Sequence, residues 1–176
     1  MIDIASWLRS THREARPAGG GRSALLRRRY DAALEEVWSA CTDPERLRRW
    51  FADVSGELHE GGDLAVDAGM PKKVICRILR CDRPHHLAVT WSYGGGPLDR
   101  VDQVELRLSA DGGGTWLELE HRSEDDTAWL GVGPGWEDWL FRLSVLLDGG
   151  DPAEVSSEAI ESQFGERWAA LSGIVS

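Results

Sequence analysis

Disulfides, zinc ligands and long apolar runs are all missing from this chain. Its cysteines are Cys41, Cys76 and Cys81, an odd number with no Cys-x-x-Cys spacing. That argues against a disulfide framework and against a zinc site. No run approaches the ~18 apolar residues of a membrane-spanning helix, and no apolar stretch follows Met1. The expectation is a cytoplasmic protein with reduced thiols and no membrane insertion. Positive charge is also short. Lys72 and Lys73 are the two lysines, and 20 Lys+Arg face 30 Asp+Glu for a net charge of −10. Such a chain repels phosphate backbones and anionic lipid, so nucleic acid is not an expected partner. The run Arg27-Arg28-Arg29 reads as the solvated side of a first strand. There is no GxSxG, P-loop, GxGxxG or HExxH pattern, so no cofactor and no metal are expected.

What is abundant is tryptophan: nine, against three Phe and two Tyr. Trp combines a large apolar face with one N–H donor, so the chain has either rigid core pieces or a pocket walled by flat rings. At 176 residues one domain can bury roughly two-thirds of the surface that the unfolded chain exposes.

Residues 2–14 are expected to form a short helix, and Arg16 to Gly21 a flexible break. Ser23 to Tyr30 reads as a strand. Leu34, Val37, Trp38 and Cys41 follow at helical spacing. Asp43 then caps a second short helix with Pro44 at its first position, carrying Leu47, Trp50 and Phe51 inward. From residue 53 the period becomes two. Strands are expected at 54–58, 63–67, 73–81, 86–92, 101–109 and 115–122, broken at Gly61-Gly62, Asp67 to Pro71, Arg83-Pro84, Gly94 to Pro97 and Asp111 to Gly114. Leu117, Leu119 and His121 share one face. After Gly133-Pro134-Gly135 the period is helical again, with Trp136, Trp139, Leu140, Leu143, Leu146 and Leu147 on one stripe up to Gly149-Gly150. A last helix is expected over about 152–171. Strands in sequence followed by a helix imply an α+β fold, here an antiparallel meander curled around the long helix.

The segments Tyr30-Asp31-Ala32, Val37 to Leu47 and Arg49-Trp50-Phe51, followed by Val54 to Leu58, Arg80 to Pro84, Leu87 to Trp91 and Gly131 to Trp136, resemble the START-like (SRPBCC) superfamily. The likeness is to the branch named for homology to the activator of the heat shock protein 90 ATPase, in its stand-alone actinobacterial form. It spans about residues 22–149. The resemblance implies a helix-grip fold: a curved antiparallel sheet of six to seven strands around a long C-terminal helix, two short helices after the first strand, and a hydrophobic cavity. Residues 1–21 would then be an N-terminal arm and Gly-rich linker, and 150–176 a C-terminal helical extension.

Superfamily members bind lipids, hormones or polyketides, and some are cyclases or oxygenase subunits. The cavity candidates here are Trp50, Phe51, Trp91, His121, Trp136, Trp139, Leu140 and Leu143; large aromatic residues at such spacing are equally the packing of a filled core. Alternation turns His121 inward, where it would bond a ligand, move a proton, or be satisfied within the core. No nucleophile–base–orienter set accompanies it, so binding of a small hydrophobic or aromatic ligand is expected rather than catalysis. The alternatives are a polyketide cyclase or aromatase using His121, and a protein-interaction or co-chaperone-like module with a chaperone partner. A homodimer is compatible with any of these.

Overall fold

A computed structural model describes residues 3–94 and 100–172; the expected break at Gly95-Gly96-Pro97 and the expected helical residue Ile2 lie outside them. Eight antiparallel strands form one sheet, in the order β1-β2-β8-β7-β6-β5-β4-β3. They are β1 (His12–Ala18), β2 (Gly21–Tyr30), β3 (Asp53–Gly56), β4 (Asp63–Asp67), β5 (Val74–Asp82), β6 (His86–Ser92), β7 (Val101–Asp111) and β8 (Gly114–Ser123). The helices are α1 (Ile4–Ser10), α2 (Leu34–Thr42), α3 (Pro44–Trp50), α4 (Trp129–Leu147) and α5 (Ser157–Ala170). Helix α4 packs against β2 and β8 and is flanked by α2 and α3.

The strand count is eight rather than six to seven because the segment expected as helix and linker pairs with β2. The helix stops at Ser10, and His12 to Ala18 run antiparallel to Arg27 to Gly21. The turn between them is Gly19-Gly20, with φ of 57° and 104°. Two adjacent positive φ values match the twist of a hairpin and are open to glycine without strain. The flexibility that suggested a linker is what closes the hairpin.

The second difference concerns α4, which begins at Trp129 and runs through Gly133-Pro134-Gly135 instead of starting after it. Gly and Pro are poor helix residues, yet Pro134 stands only five residues inside the helix and Gly133 is where another element presses in. A Cβ at Gly133 would meet the Trp168 ring at 2.5 Å. Tertiary packing overrides local propensity here.

That contact belongs to a second apolar layer. Trp136, Leu140 and Leu143 are buried on the sheet side of α4. Phe141, on the opposite side, meets Trp7 of α1 edge-on at 5.2 Å and Phe164 of α5 at 6.3 Å. Trp7, Phe164 and Trp168 are all fully buried. Helix α4 is therefore enclosed on both faces. Among the described residues no helix is long and apolar enough to cross a membrane.

Candidate functional site

The site is built where α3, α4 and the concave side of β6–β8 converge. The Asp43 carboxylate accepts from the backbone N–H groups of Glu45 and Arg46, which fixes the start of α3. At the far end of α3 the Trp50 indole donates to the Ala40 carbonyl at 2.9 Å, tying α3 to α2. Phe51 ends the helix and projects among the rings of α4: it stacks on Trp136 at 5.7 Å and meets Trp139 edge-on at 4.7 Å. Trp136 in turn lies 5.2 Å from Trp91 of β6. Offset and edge-on pairs of this kind are favoured beyond their burial alone.

Behind these rings is a cavity of about 100 Å3, lined by apolar side chains and by the thiols of Cys41 and Cys76. Burial pushes both thiols up to about 12, so they present S–H groups to the cavity and not thiolates. Trp50, Phe51, Trp91, Trp136 and Leu140 border this space. Trp139 packs on Phe51 and Trp136 beside it, Leu143 is buried further along α4, and His121 stands behind Trp136.

His121 is 1% exposed and bonded through both ring nitrogens. The Trp136 indole N–H donates to Nδ1 at 2.9 Å, and Nε2 lies 2.9 Å from the Asp102 carboxylate. An indole nitrogen can only donate, so Nδ1 must offer its lone pair and Nε2 carries the hydrogen directed at Asp102. Burial pushes the Asp102 carboxyl up, but the bonds from His121 and Ser123 and the charge of Arg100 outweigh it and hold it below the ordinary value. Arg100 Nε is 2.9 Å from Asp102 Oδ1, and Arg100 Nη1 reaches Asp125 at 3.1 Å. The chain Trp136–His121–Asp102–Arg100 thus links the cavity wall to the β6–β7 hairpin.

Asp102 went unremarked in the sequence, although its parity with Val104, Leu106 and Leu108 puts it on the inward face. Glu120 lies on the other face of β8 and is 2% exposed because Arg16 of β1 covers it; it accepts from Arg16, Ser23 and Arg122. Glu137, fully buried on the outer side of α4, also went unremarked. Among the described residues no group of three or more His, Cys, Asp or Glu could hold a metal ion.

A curved antiparallel sheet closed over a long helix, with two short helices bridging its second and third strands, defines the helix-grip class. Within that class the chain belongs to the family of Activator of Hsp90 ATPase homolog 1-like proteins, whose model matches residues 31–148. It is similar to CalU16 from Micromonospora echinospora. In the crystal structure of that protein the identity is 41% over 92% of this chain and 98% of that one, with a TM-score of 0.75; in its solution structure the identity is 42% over 95% of each, with a TM-score of 0.73. DynU16, a protein of the dynemicin biosynthetic locus, is 26% identical over 76% of this chain and 49% of its own, with a TM-score of 0.68. An HSP90 activator from Plasmodium falciparum, 19% identical over 73% of this chain and 97% of its own with a TM-score of 0.62, shares the fold. No curated protein matches the chain.

Proposed function

We propose that the protein binds a small hydrophobic or aromatic molecule in the cavity between α4 and the sheet, and does not turn it over. The observation that carries this reading is the cavity's lining: apolar walls and protonated thiols, with a ring cluster at one side. Pockets that bind by shape and apolar contact look like this, with few polar groups. The size narrows the ligand. A cavity of about 100 Å3 is smaller than the ~150 Å3 that accommodates benzene in an engineered core. A ring-sized ligand must therefore displace part of the cavity wall. The membership of the relative DynU16 in a biosynthetic locus is consistent with a small-molecule role for this chain.

The cyclase alternative requires His121 to exchange protons with a bound substrate. Both its nitrogens are engaged, and Trp136 stands between it and the cavity. A general base must reach the proton it takes, directly or through one water. That arrangement favours binding over turnover.

The test is native mass spectrometry of the protein from its own host, with saturable binding of a hydrophobic fluorescent probe in parallel. A co-purifying apolar molecule, and a probe affinity altered by Trp136→Ala, are the expected results. A clean apo mass together with a probe affinity that Trp136→Ala leaves unchanged would count against the cavity.

A further inference from the structure

We propose that the cavity's ligand carries a hydroxyl group, phenolic or alcoholic, which inserts between Trp136 Nε1 and His121 Nδ1. The proposal rests on the ligand-binding reading above and specifies the chemistry of its polar end.

Asp102 takes the Nε2 hydrogen of His121 and is itself held in place by Arg100. With that hydrogen committed, Nδ1 can only accept. Trp136 Nε1 faces it and can only donate. Trp136 also borders the cavity, so a ligand that fills the cavity presses on one partner of this bond. A group entering the bond must accept from the indole and donate to the imidazole through a single atom. A hydroxyl oxygen does both. An ether, carbonyl or carboxylate accepts from the indole but leaves the Nδ1 lone pair buried and unpaired. An ammonium donates to the imidazole but leaves the indole unpaired. An amide offers both functions only on two separate atoms, a wider wedge than a single oxygen.

The insertion asks for a small movement. An oxygen seated about 2.8 Å from each nitrogen asks the Trp136 ring to turn aside by an ångström or two, and not to leave the core. Its neighbours on the cavity side are the rings of Phe51 and Trp91, at 5.7 and 5.2 Å, which can slide where a polar partner could not. The Asp102–His121 bond survives the change, so the acceptor remains aimed while the ligand enters.

The probe is a matched series of single-ring compounds: 4-ethylphenol, 4-ethylanisole and ethylbenzene. Each is titrated into the full chain and followed by the Trp136 Nε1–H and His121 ring nitrogen resonances, assigned with Trp136→Phe. The expected result is that 4-ethylphenol binds at least about tenfold more tightly than either partner, the difference that one satisfied buried polar pair makes. Its binding moves the Trp136 and His121 signals while Nε2 stays protonated. In His121→Phe the preference disappears. Equal affinity for all three, or a phenol weaker than ethylbenzene, overturns the hydroxyl and leaves the apolar cavity standing. Saturable binding of none of them overturns both. Should His121→Phe fail to fold, the wild-type series and the Trp136 resonance still decide.

Discussion

Glu137 offers the sharpest test of how the two layers on α4 are held together. Its carboxylate is fully buried and accepts from the Trp7 indole at 2.8 Å, the Trp168 indole at 2.9 Å and Arg13 Nε at 2.7 Å, with a further bond from Arg13 Nη2. One side chain on α4 thus fastens α1, β1 and α5. Arg28 lies over the Trp7 ring, 4.0 Å from its centre, so a second cation packs against the clasp. In Glu137→Gln the shape is kept, but the amide turns one of its two ends from acceptor to donor. Each oxygen accepts from one indole and from the guanidinium, so the new donor faces both at either end. Breaking a buried ion pair from one side costs about 3–5 kcal/mol. Arg13 keeps the Leu8 and Thr11 carbonyls as acceptors, at 3.1 and 2.8 Å, which places the loss toward the lower end. Against a typical total of about 5–15 kcal/mol this is a large fraction. In a chain of 176 residues a loss of that size lowers Tm by about 10 °C.

Urea unfolding of the wild type, Glu137→Gln and the pair Glu137→Leu with Arg13→Met measures it. The double variant removes both charges and fills the space with apolar atoms, so it should be more stable than Glu137→Leu alone, although the Trp7 and Trp168 indoles remain without an acceptor. A loss below about 1 kcal/mol in Glu137→Gln, or a double variant no more stable than Glu137→Leu alone, would refute the clasp. Either result would mean that apolar packing of Trp7, Phe141, Phe164 and Trp168 holds the layer unaided.

Three further outcomes follow from the same structure. Gly133→Ala should destabilise by about 1–3 kcal/mol because its Cβ meets the buried Trp168 ring, whereas Gly135→Ala, with nothing within 4 Å, should gain up to about 1 kcal/mol from helix propensity; thermal melts compare the two. Burial raises the Glu120 carboxyl, but bonds from Arg16, Ser23 and Arg122 outweigh it and hold it at about 2, below its ordinary 4.5. Its stabilisation is therefore complete above about pH 4.5 and fades as pH falls towards 2, so urea midpoints of wild type and Glu120→Gln should converge on acidification; a gap that stays constant from pH 7 to 2.5 would contradict the bonding pattern. With Cys41 and Cys76 both raised to about 12, neither should alkylate at pH 8 in the folded protein, while both label in denaturant; peptide mass mapping after iodoacetamide separates the sites.

The elements that were legible in the sequence are those whose period nothing interrupts. The later strands alternate cleanly, and β4 and β6 occupy the residues that alternation assigned to them. The short helices were legible through Asp43 and Pro44, because capping is local chemistry that tertiary contacts seldom rewrite. Glycine misled twice. Gly19-Gly20 and Gly131 to Gly135 are alike as text, yet one pair closes a hairpin and the other stretch lies within a helix. What separates them is a partner: β2 for the first, the Trp168 ring for the second. No reading of a single segment contains that information.

The same limit shaped the site. Inward alternation and helical spacing placed His121 and Trp136 on the two surfaces that meet, but their bond depends on the height at which α4 crosses β8. Asp102 was hidden by its chemistry: a carboxylate is the residue least expected among Val104, Leu106 and Leu108. It is tolerated because the His121 ring N–H bonds it and the Arg100 guanidinium answers its charge. The excess of tryptophan has a similar explanation. The choice between core pieces and pocket walls was posed for one apolar interface, and the chain has two. Trp50, Trp91 and Trp136 border the cavity on the sheet side of α4. Trp7 and Trp168 fill the outer side, where their indole N–H groups converge on Glu137. A helix buried on both faces needs large side chains on the elements at its front and at its back. Trp suits both places because its N–H lets a carboxylate on one side, and an imidazole on the other, fix the angle of an otherwise slippery ring.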